Sequence, residues 1–261
     1  MLPTPTYVFS DAHLGHAPAS VHASVLSFLK HLRTVAASLI INGDLFEFWF
    51  EWKTVIPRSS FRVLAAIAEL REGGIPVVMI AGNHDCWGGE VLTQDVGVTY
   101  RMNGWEGAIG AWTARVEHGD GLRPIEDRGY RAVKPVLRSP WAVRAFRWLP
   151  PDLATSLAGG SSNASRSYAS RDRGDGLREA AARVLTARRD INLLVYGHSH
   201  VASLEEIAPR QIYGNPGSWL DAPHYLRITD NRVTLRQWTG LAESADLHAF
   251  DRPTEEPLAK L

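Results

Sequence analysis

The sequence contains little cysteine, no long apolar run and no excess of charge of either sign. Its one cysteine, Cys86, cannot form an internal disulfide, so a reducing compartment is expected. No apolar run reaches the roughly 18 residues of a membrane-spanning helix. Lys and Arg together number 28, as do Asp and Glu, which argues against a dedicated nucleic-acid-binding protein. The first residues lack the charged and apolar regions of a signal peptide, so we expect a cytoplasmic location.

The chain is nevertheless long and apolar enough to bury a large core. It has 261 residues, of which 45% are hydrophobic, and this length fits one large domain carrying a modest insertion. The even charge balance hides one basic stretch, Arg123–Arg173, which holds ten basic and four acidic residues. Aromatic residues are interspersed there, which favours a phosphate-rich or membrane-surface partner. On charge alone, an ordinary pair of helices with a solvated arginine face is the favoured interpretation.

Strand-like and helix-like segments alternate along the chain, which predicts a parallel type of sheet covered by helices. Buried strands are predicted at Tyr7–Ser10, Ser38–Ile41, Pro76–Ala81 and Leu193–Tyr196. Helical spacing of apolar residues falls at Val21–Arg33, Ser60–Glu72, Pro135–Leu157 and Leu177–Arg188. A hairpin follows Gly104, and several short strands are predicted across Ile207–Arg236. The acidic, proline-containing segment from Leu241 onward is expected to fray.

Polar residues of a few types directly follow the predicted strands. They form the sequences D11-A-H13, G43-D44, G82-N83-H84-D85, H118-G-D120 and G197-H198-S-H200. The carboxyl ends of strands are where an open α/β sheet forms its binding crevice. Oxygen and imidazole donors without a thiolate suit Mn²⁺, Fe or Zn²⁺ better than a structural cysteine–zinc site.

The spacing favours two metal ions over one. In an extended segment a D-x-H pair places its carboxylate and imidazole on the same side, so both reach one ion, and the G-H-S-H pair follows the same rule. Asp44 can bridge two ions through its two oxygens, while Asn83 offers a neutral amide oxygen. Two ions roughly 3.5–4 Å apart would activate a water and stabilise an in-line phosphoryl displacement. Each motif alone is more simply a turn or a helix cap, but all five in order indicate a metal centre.

The ordered series of motifs from residue 11 to residue 200 resembles the calcineurin-like metallophosphoesterases. The resemblance implies a four-layer α/β/β/α sandwich. It also implies that one ion is held by Asp11, His13 and His200, that the other is held by Asn83, His118 and His198, and that Asp44 bridges them. By the same resemblance His84 contacts the scissile phosphate or protonates the leaving oxygen, and Asp85 orients His84. Two divalent ions are implied, and Mn²⁺ is the one we expect.

A narrower resemblance rests on G43-D-L-F-E-F-W-F-E51, the GNHD turn, H118-G-D-G121 and a following helical insertion. Together these are similar to the UDP-2,3-diacylglucosamine hydrolases of lipid A synthesis. Those enzymes cleave the substrate pyrophosphate to UMP and 2,3-diacylglucosamine 1-phosphate, and a helical cap holds the acyl chains. The resemblance implies a metallophosphoesterase core at residues 1–121 and 171–240, a cap at 122–170 and a tail at 241–261.

The implied cap coincides with the basic, tryptophan-containing stretch. Its apolar residues could line an acyl chamber; they include Trp141, Phe146, Trp148 and Leu149. Polar residues there could meet the sugar phosphate or anionic lipid, and the candidates are Asn163, Arg166 and Ser167. The expected partner is therefore a lipid-linked nucleotide, with peripheral contact to an anionic inner membrane.

Two departures keep a wider substrate range open. Many members carry arginine where this chain has His84, and a histidine would also serve esters with poorer leaving groups. The sequence G214-N-P-G-S-W219 is similar to small phosphodiesterases of the same superfamily. A broader phosphodiesterase or phosphomonoesterase is therefore the alternative enzyme. A catalytically silent scaffold would show gaps among the ligands, and this sequence shows none.

Overall fold

The computed structural model describes residues 1–156 and 173–252. The strands in chain order are β1 (Thr6–Phe9), β2 (Ser38–Asn42), β3 (Val77–Ile80), β4 (Thr99–Arg101), β5 (Trp105–Ile109), β6 (Trp112–Val116), β7 (Leu193–Val195), β8 (Ser203–Ala208), β9 (Gln211–Asn215), β10 (His224–Ile228), β11 (Arg232–Gln237) and β12 (His248–Asp251). The labelled helices are α1 (Ala19–Val35), α2 (Phe61–Glu72), α3 (Arg128–Leu137), α4 (Pro140–Phe146) and α5 (Asp175–Ala187). Short helical turns also occur at Arg58–Ser60, Val91–Asp95 and residues 151–156.

The strands form two sheets. The larger has the order β12-β11-β10-β1-β2-β3-β4, and the smaller has the order β5-β6-β7-β9-β8. Strands β1 to β4 pair in parallel, as do β6, β7 and β9 in the smaller sheet. The carboxyl ends of these parallel strands therefore gather along one edge of each sheet.

Alternating side chains divide the core into layers, because successive strand residues point to opposite faces of a sheet. Phe9 packs in the core beneath α1 and α2, whereas its neighbour Val8 packs between the two sheets. In the smaller sheet Leu193 and Val195 face the space between the sheets, and Leu194 packs against α5. These layers confirm the four-layer α/β/β/α sandwich. None of the described helices combines the length and apolar character needed to cross a membrane.

Two segments differ from the sequence-based predictions. The predicted helix Pro135–Leu157 is interrupted, because the chain turns after Leu137 and restarts with Pro140 at the first position of α4, where proline is favoured. The segment from Leu241 onward does not simply fray. It adds β12 to the edge of the larger sheet, and Glu243 accepts hydrogen bonds from Tyr7 and Arg236. The glycine- and serine-rich residues Gly159–Ser162, a pattern that predicts a loop or hinge, lie outside the described residues.

Candidate metal centre

The predicted ligands lie together at the carboxyl ends of strands from both sheets. Strands β1, β2 and β3 of the larger sheet and β6 and β7 of the smaller sheet each lead directly into one of them. The ligands are Asp11, His13, Asp44, Asn83, His118, His198 and His200, and the predicted phosphate contact His84 follows Asn83 directly. The sandwich therefore brings together side chains that are up to 189 positions apart, as the strand-end argument predicted.

Three groups of potential metal-ligating atoms occur in this region. They are Asp11–His13–His200, His13–Asp44–His84 and Asp44–His118–His198, with the ligand atoms of each group within 4.8 Å of one another. Asp44 belongs to two groups, and its Oδ2 lies 3.2 Å from His118 Nε2 and 3.9 Å from His13 Nε2. This central carboxylate is therefore placed where a bridging ligand would be needed.

Buried polar atoms test whether these residues fit a metal ion. Asp11 Oδ1, Asn83 Oδ1 and His118 Nε2 are buried and make no well-formed hydrogen bond within the described part of the chain. Two of them approach other candidate ligands instead: Asp11 Oδ1 lies 3.4 Å from His200 Nε2, and His118 Nε2 faces Asp44. Buried polar atoms are normally hydrogen-bonded, so converging unsatisfied ligand atoms are what a cation site requires. The donor set fits divalent metal ions.

The backbone at these residues is held in an uncommon conformation. Of the six non-glycine residues with positive φ in the described ranges, five are candidate ligands, namely Asp11, His13, Asp44, His198 and His200. The left-handed region costs about 1 kcal/mol or more per residue, and such strain clusters at functional sites. Glycine is required beside them, since a Cβ on Gly82 would overlap the Asp44 carboxylate and one on Gly43 would overlap the His118 ring.

Hydrogen bonds assign the proton position on the His118 ring. His118 Nδ1 lies 2.8 Å from the carbonyl oxygen of Asn42, and because a carbonyl only accepts, Nδ1 is the donor. In the neutral form that binds a metal, the ring therefore carries its lone pair on Nε2, which faces Asp44. Orientation of a ligating histidine through its other ring nitrogen is the usual arrangement in metal sites.

The carboxylates in the centre remain ionised. Burial would raise the pKa of Asp11, but the close contact with His200 and the charges of His118 and His200 lower it to about 2. For Asp44, burial likewise acts to raise the pKa, and the charges of His118 and His84 outweigh it and hold the pKa well below the usual range. Metal binding requires the deprotonated form of each carboxylate.

Asp85 does not orient His84 as predicted. Its carboxylate accepts backbone N–H groups of Gly82 at 2.8 Å, Leu45 at 2.9 Å and Asp44 at 3.2 Å, so it ties the loops after β2 and β3 together. The His84 ring instead donates from Nδ1 to the carbonyl oxygen of Glu47 at 3.0 Å. Burial and the neighbouring Asp44 charge raise the pKa of Asp85 to about 6.

The sequence G-N-P-G-S-W joins two ligand-bearing loops. Ser218 Oγ and the Trp219 backbone N–H both donate to the Asp11 carbonyl oxygen, each at 3.1 Å. Asn215 Nδ2 donates to the Gly197 carbonyl oxygen at 2.8 Å, next to His198. This segment therefore fixes the loop after β1 against the loop after β7.

Two residues of the predicted insertion (residues 122–170) contact the centre and were not among the predicted site residues. Asp127 Oδ1 lies 3.1 Å from His198 Nε2, and Arg123 lies 3.1 Å from the same atom and 2.7 Å from Asp127. Both side chains are buried. Burial would raise the pKa of Asp127, but hydrogen bonding to His198 and Arg123 holds it below its usual range. The i,i+4 spacing of Arg123 and Asp127 is the one sequence feature that indicates an ion pair between them.

Aromatic side chains attach the insertion to the core. The Phe146 ring of α4 lies 4.7 Å from Trp87, 5.0 Å from Phe50 and 5.9 Å from Phe48, measured between ring centroids. Trp52 Nε1 also donates to the Leu149 carbonyl oxygen at 3.1 Å. The aromatic run after Asp44 thus forms the surface on which the insertion rests.

A carboxylate of the H-G-D motif makes a second attachment. Asp120 accepts from Lys134 at 2.7 Å and from Arg138 at 3.1 Å, and both cations belong to the insertion. Trp141 and Trp148, in contrast, are 75% and 90% exposed and lie on the outside of the insertion rather than with Phe146. The predicted substrate residues Asn163, Arg166 and Ser167 lie outside the described residues.

Comparison with known proteins gives consistent results. The sequence profile named calcineurin-like phosphoesterase matches residues 4–202. A UDP-2,3-diacylglucosamine hydrolase of Porphyromonas gingivalis (strain ATCC BAA-308 / W83) is 34% identical over 164 residues, covering 61% of this chain and 63% of the relative. One of the same name from Salmonella arizonae (strain ATCC BAA-731 / CDC346-86 / RSK2980) is 28% identical over 243 residues, covering 88% and 97%. A crystal structure of a dimetal phosphatase from Danio rerio is 11% identical with a TM-score of 0.48, covering 92% of this chain and 97% of that one.

Proposed function

The chain belongs to the calcineurin-like phosphoesterase family, and on that basis we propose that it hydrolyses the pyrophosphate bond of UDP-2,3-diacylglucosamine. The products are UMP and 2,3-diacylglucosamine 1-phosphate, as needed for lipid A synthesis. The observation that carries the proposal is a complete set of metal-ligating side chains beside an insertion with exposed tryptophans. The names of the two hydrolase relatives support the substrate.

Each candidate ligand has a proposed role. Asp11, His13 and His200 hold one divalent ion, Asn83, His118 and His198 hold the other, and Asp44 bridges them; Mn²⁺ is the proposed ion. When bound, the ions activate the attacking water and stabilise the charge on the phosphoryl oxygens. Asp44 and Asp11 are ionised, so both carboxylates are in the form that binds a metal. Asp85 holds the loop that carries Asn83 and His84 through its hydrogen bond with the Gly82 N–H.

His84 is the proposed contact to the scissile phosphate. Its Nδ1 donates to the Glu47 carbonyl oxygen, which assigns the other ring nitrogen, Nε2, to the phosphate side. In the reaction a water oxygen bonds to the nucleotide α-phosphorus, and the bond from that phosphorus to the bridging oxygen of the pyrophosphate breaks. The leaving group is a phosphate anion, so the proposed role of His84 is to stabilise negative charge by donating a hydrogen bond from Nε2, which requires the imidazolium form because Nδ1 is already a donor.

The insertion over residues 122–170 is the proposed acyl-binding cap. Trp141 and Trp148 would become covered when the acyl chains bind, whereas Phe146 anchors the cap. Burying an apolar side chain of this size contributes roughly 1.5–3 kcal/mol. Replacing both tryptophans with serine is therefore expected to lower kcat/KM for the lipid nucleotide about tenfold or more, since 1.4 kcal/mol corresponds to a factor of ten.

The test compares two substrates on Mn²⁺-loaded protein. UMP release from UDP-2,3-diacylglucosamine is measured beside hydrolysis of the small soluble diester bis(p-nitrophenyl) phosphate. The tryptophan variant should hydrolyse the soluble diester at the wild-type rate. An equal loss of kcat/KM on both substrates in the tryptophan variant would contradict the acyl-binding role. If the wild-type protein hydrolyses the soluble diester but not the lipid nucleotide, the lipid assignment is overturned. That last outcome would favour the alternative, a broader phosphodiesterase or phosphomonoesterase, which His84 could also serve.

Peripheral contact with an anionic membrane is the second part of the proposal. Arg144 and Arg147 are exposed on the same segment as Trp141 and Trp148, and Arg144 lies over the Trp141 ring at 5.3 Å. Each arginine near an anionic surface contributes about 1 kcal/mol. Changing both to glutamine should lower the partition coefficient onto phosphatidylserine-containing vesicles roughly thirtyfold at low salt, as measured by cosedimentation.

The matched control for the vesicle experiment changes two exposed arginines of the core, Arg62 and Arg189, to glutamine. This control should bind vesicles like the wild type. Binding of the wild-type protein should also fall as salt rises, because salt screens exposed charges. Binding unchanged between low and high salt would contradict the electrostatic contact.

A further inference from the structure

One buried carboxylate lies between two histidines of the centre and had no role in the sequence analysis. Glu47 is 8% exposed and follows Asp44 by three residues. Its Oε2 lies 3.0 Å from His13 Nδ1, and its backbone carbonyl oxygen lies 3.0 Å from His84 Nδ1. Its Oε1 lies 3.9 Å from the same His84 atom. Glu47 thus contacts both His13, a candidate metal ligand, and His84, which is proposed to bind the scissile phosphate.

The local backbone keeps Glu47 in this position. The Glu47 N–H donates to the Leu14 carbonyl oxygen at 3.0 Å, and the Leu14 N–H donates to the Leu45 carbonyl oxygen at 2.9 Å. These bonds join the loop after β2 to the loop that carries His13. The His13 and His84 rings meet edge to face with their centroids 4.8 Å apart, so Glu47 borders both.

We propose that Glu47 is a positioning residue that sets the ring orientation and proton position of His13 for metal binding. A carboxylate accepts hydrogen bonds, so His13 donates from Nδ1 and its Nε2 presents the lone pair. That Nε2 lies 3.3 Å from His200 Nε2 and 3.9 Å from Asp44 Oδ2, within the ligand cluster. A carboxylate behind a ligating histidine also makes the ring a stronger donor to the metal.

The inference rests on the proposed metal centre but is independent of which phosphoester is the substrate. Loss of a carboxylate of this kind typically weakens metal affinity 10–100-fold. Glu47→Ala is therefore expected to bind Mn²⁺ about 10–100-fold more weakly than the wild type, measured by titration with electron paramagnetic resonance of the free ion. Glu47→Gln, which still accepts a hydrogen bond but has no charge, should lose less.

The chain offers a matched control four residues further on. Glu51 is also 8% exposed, but its carboxylate accepts from the backbone N–H groups of Gly89 and Val91 and from Trp49 Nε1. Glu51→Gln should therefore destabilise the fold while leaving Mn²⁺ affinity unchanged. Nitrogen-detected NMR of the histidine rings adds a second readout, since His13 should lose its Nδ1–H form in Glu47→Ala.

The outcomes separate the inference from the metal centre itself. Wild-type Mn²⁺ affinity in folded Glu47→Ala would overturn the positioning role. An equal loss of affinity in Glu51→Gln would also overturn it, because general loosening of the loop would then explain both. Wild-type protein that binds no divalent ion would contradict the proposed centre and, with it, the role of Glu47.

Discussion

Asp44→Ala is expected to lower kcat/KM by about a thousandfold or more, the largest effect of any single substitution considered. Asp44 is the carboxylate that belongs to two ligand groups, with one oxygen near both His13 and His118. Its removal takes away the proposed link between two ions, each of which would stabilise the transition state by several kcal/mol. A thousandfold loss corresponds to about 4 kcal/mol.

The measurement is UMP release, with bound metal quantified in the same samples. Asp190→Ala is the matched control, because Asp190 is an exposed carboxylate that pairs with Arg188 far from the centre. The control should retain wild-type activity and metal content. Substantial activity in folded Asp44→Ala would mean that Asp44 does not bridge the ions.

Trp219→Ala should produce the largest loss of stability, about 3–5 kcal/mol. The Trp219 ring is buried against Phe9 and Phe28, with centroid distances of 5.1 and 5.0 Å. Truncation leaves a cavity beneath the loop that carries Asp11, whose carbonyl oxygen accepts the Trp219 N–H. Because 1 kcal/mol shifts Tm by about 2–4 °C in chains near this size, a fall of roughly 6–20 °C is expected.

Trp148→Ala provides the comparison, because Trp148 is 90% exposed. Exposed substitutions usually change the free energy of unfolding by no more than about 0.5 kcal/mol. Thermal unfolding followed by circular dichroism measures both variants. Equal shifts in Tm for the two would show that the packing around Trp219 is not what holds this part of the core.

The convergence of the candidate ligands could be predicted from the sequence because each of them lies within a few residues of the end of a strand. Parallel strands end at one edge of a sheet, so His13 and Asp44 must approach each other once β1 and β2 pair. The four-layer fold was implied by the family resemblance, whereas the alternation of strands and helices by itself predicted only a parallel sheet covered by helices. Local sequence therefore carries the positions of the strand ends but not the packing of one sheet on the other.

Contacts that depend on tertiary placement could not be predicted in this way. Asp127 and His198 are 71 positions apart, and nothing near either residue indicates their contact. Asp85 follows His84 directly, which suggested a pair, but successive side chains leave the strand end in different directions. Strand β12 is short and mostly polar, so its sequence carries little strand signal. It is an edge strand, and Phe250 is its residue that packs against the core between the sheets.

The two carboxylates that attach the insertion, Asp120 and Asp127, limit how it could be exchanged between relatives. Both lie within ten residues of His118, and Asp127 contacts His198 directly. A chimaera joined at residue 122 would keep Asp120 but replace its partners Lys134 and Arg138, leaving a buried carboxylate without its cations. Replacing residues 122–170 by a foreign segment therefore requires that each of these ion pairs be transferred complete.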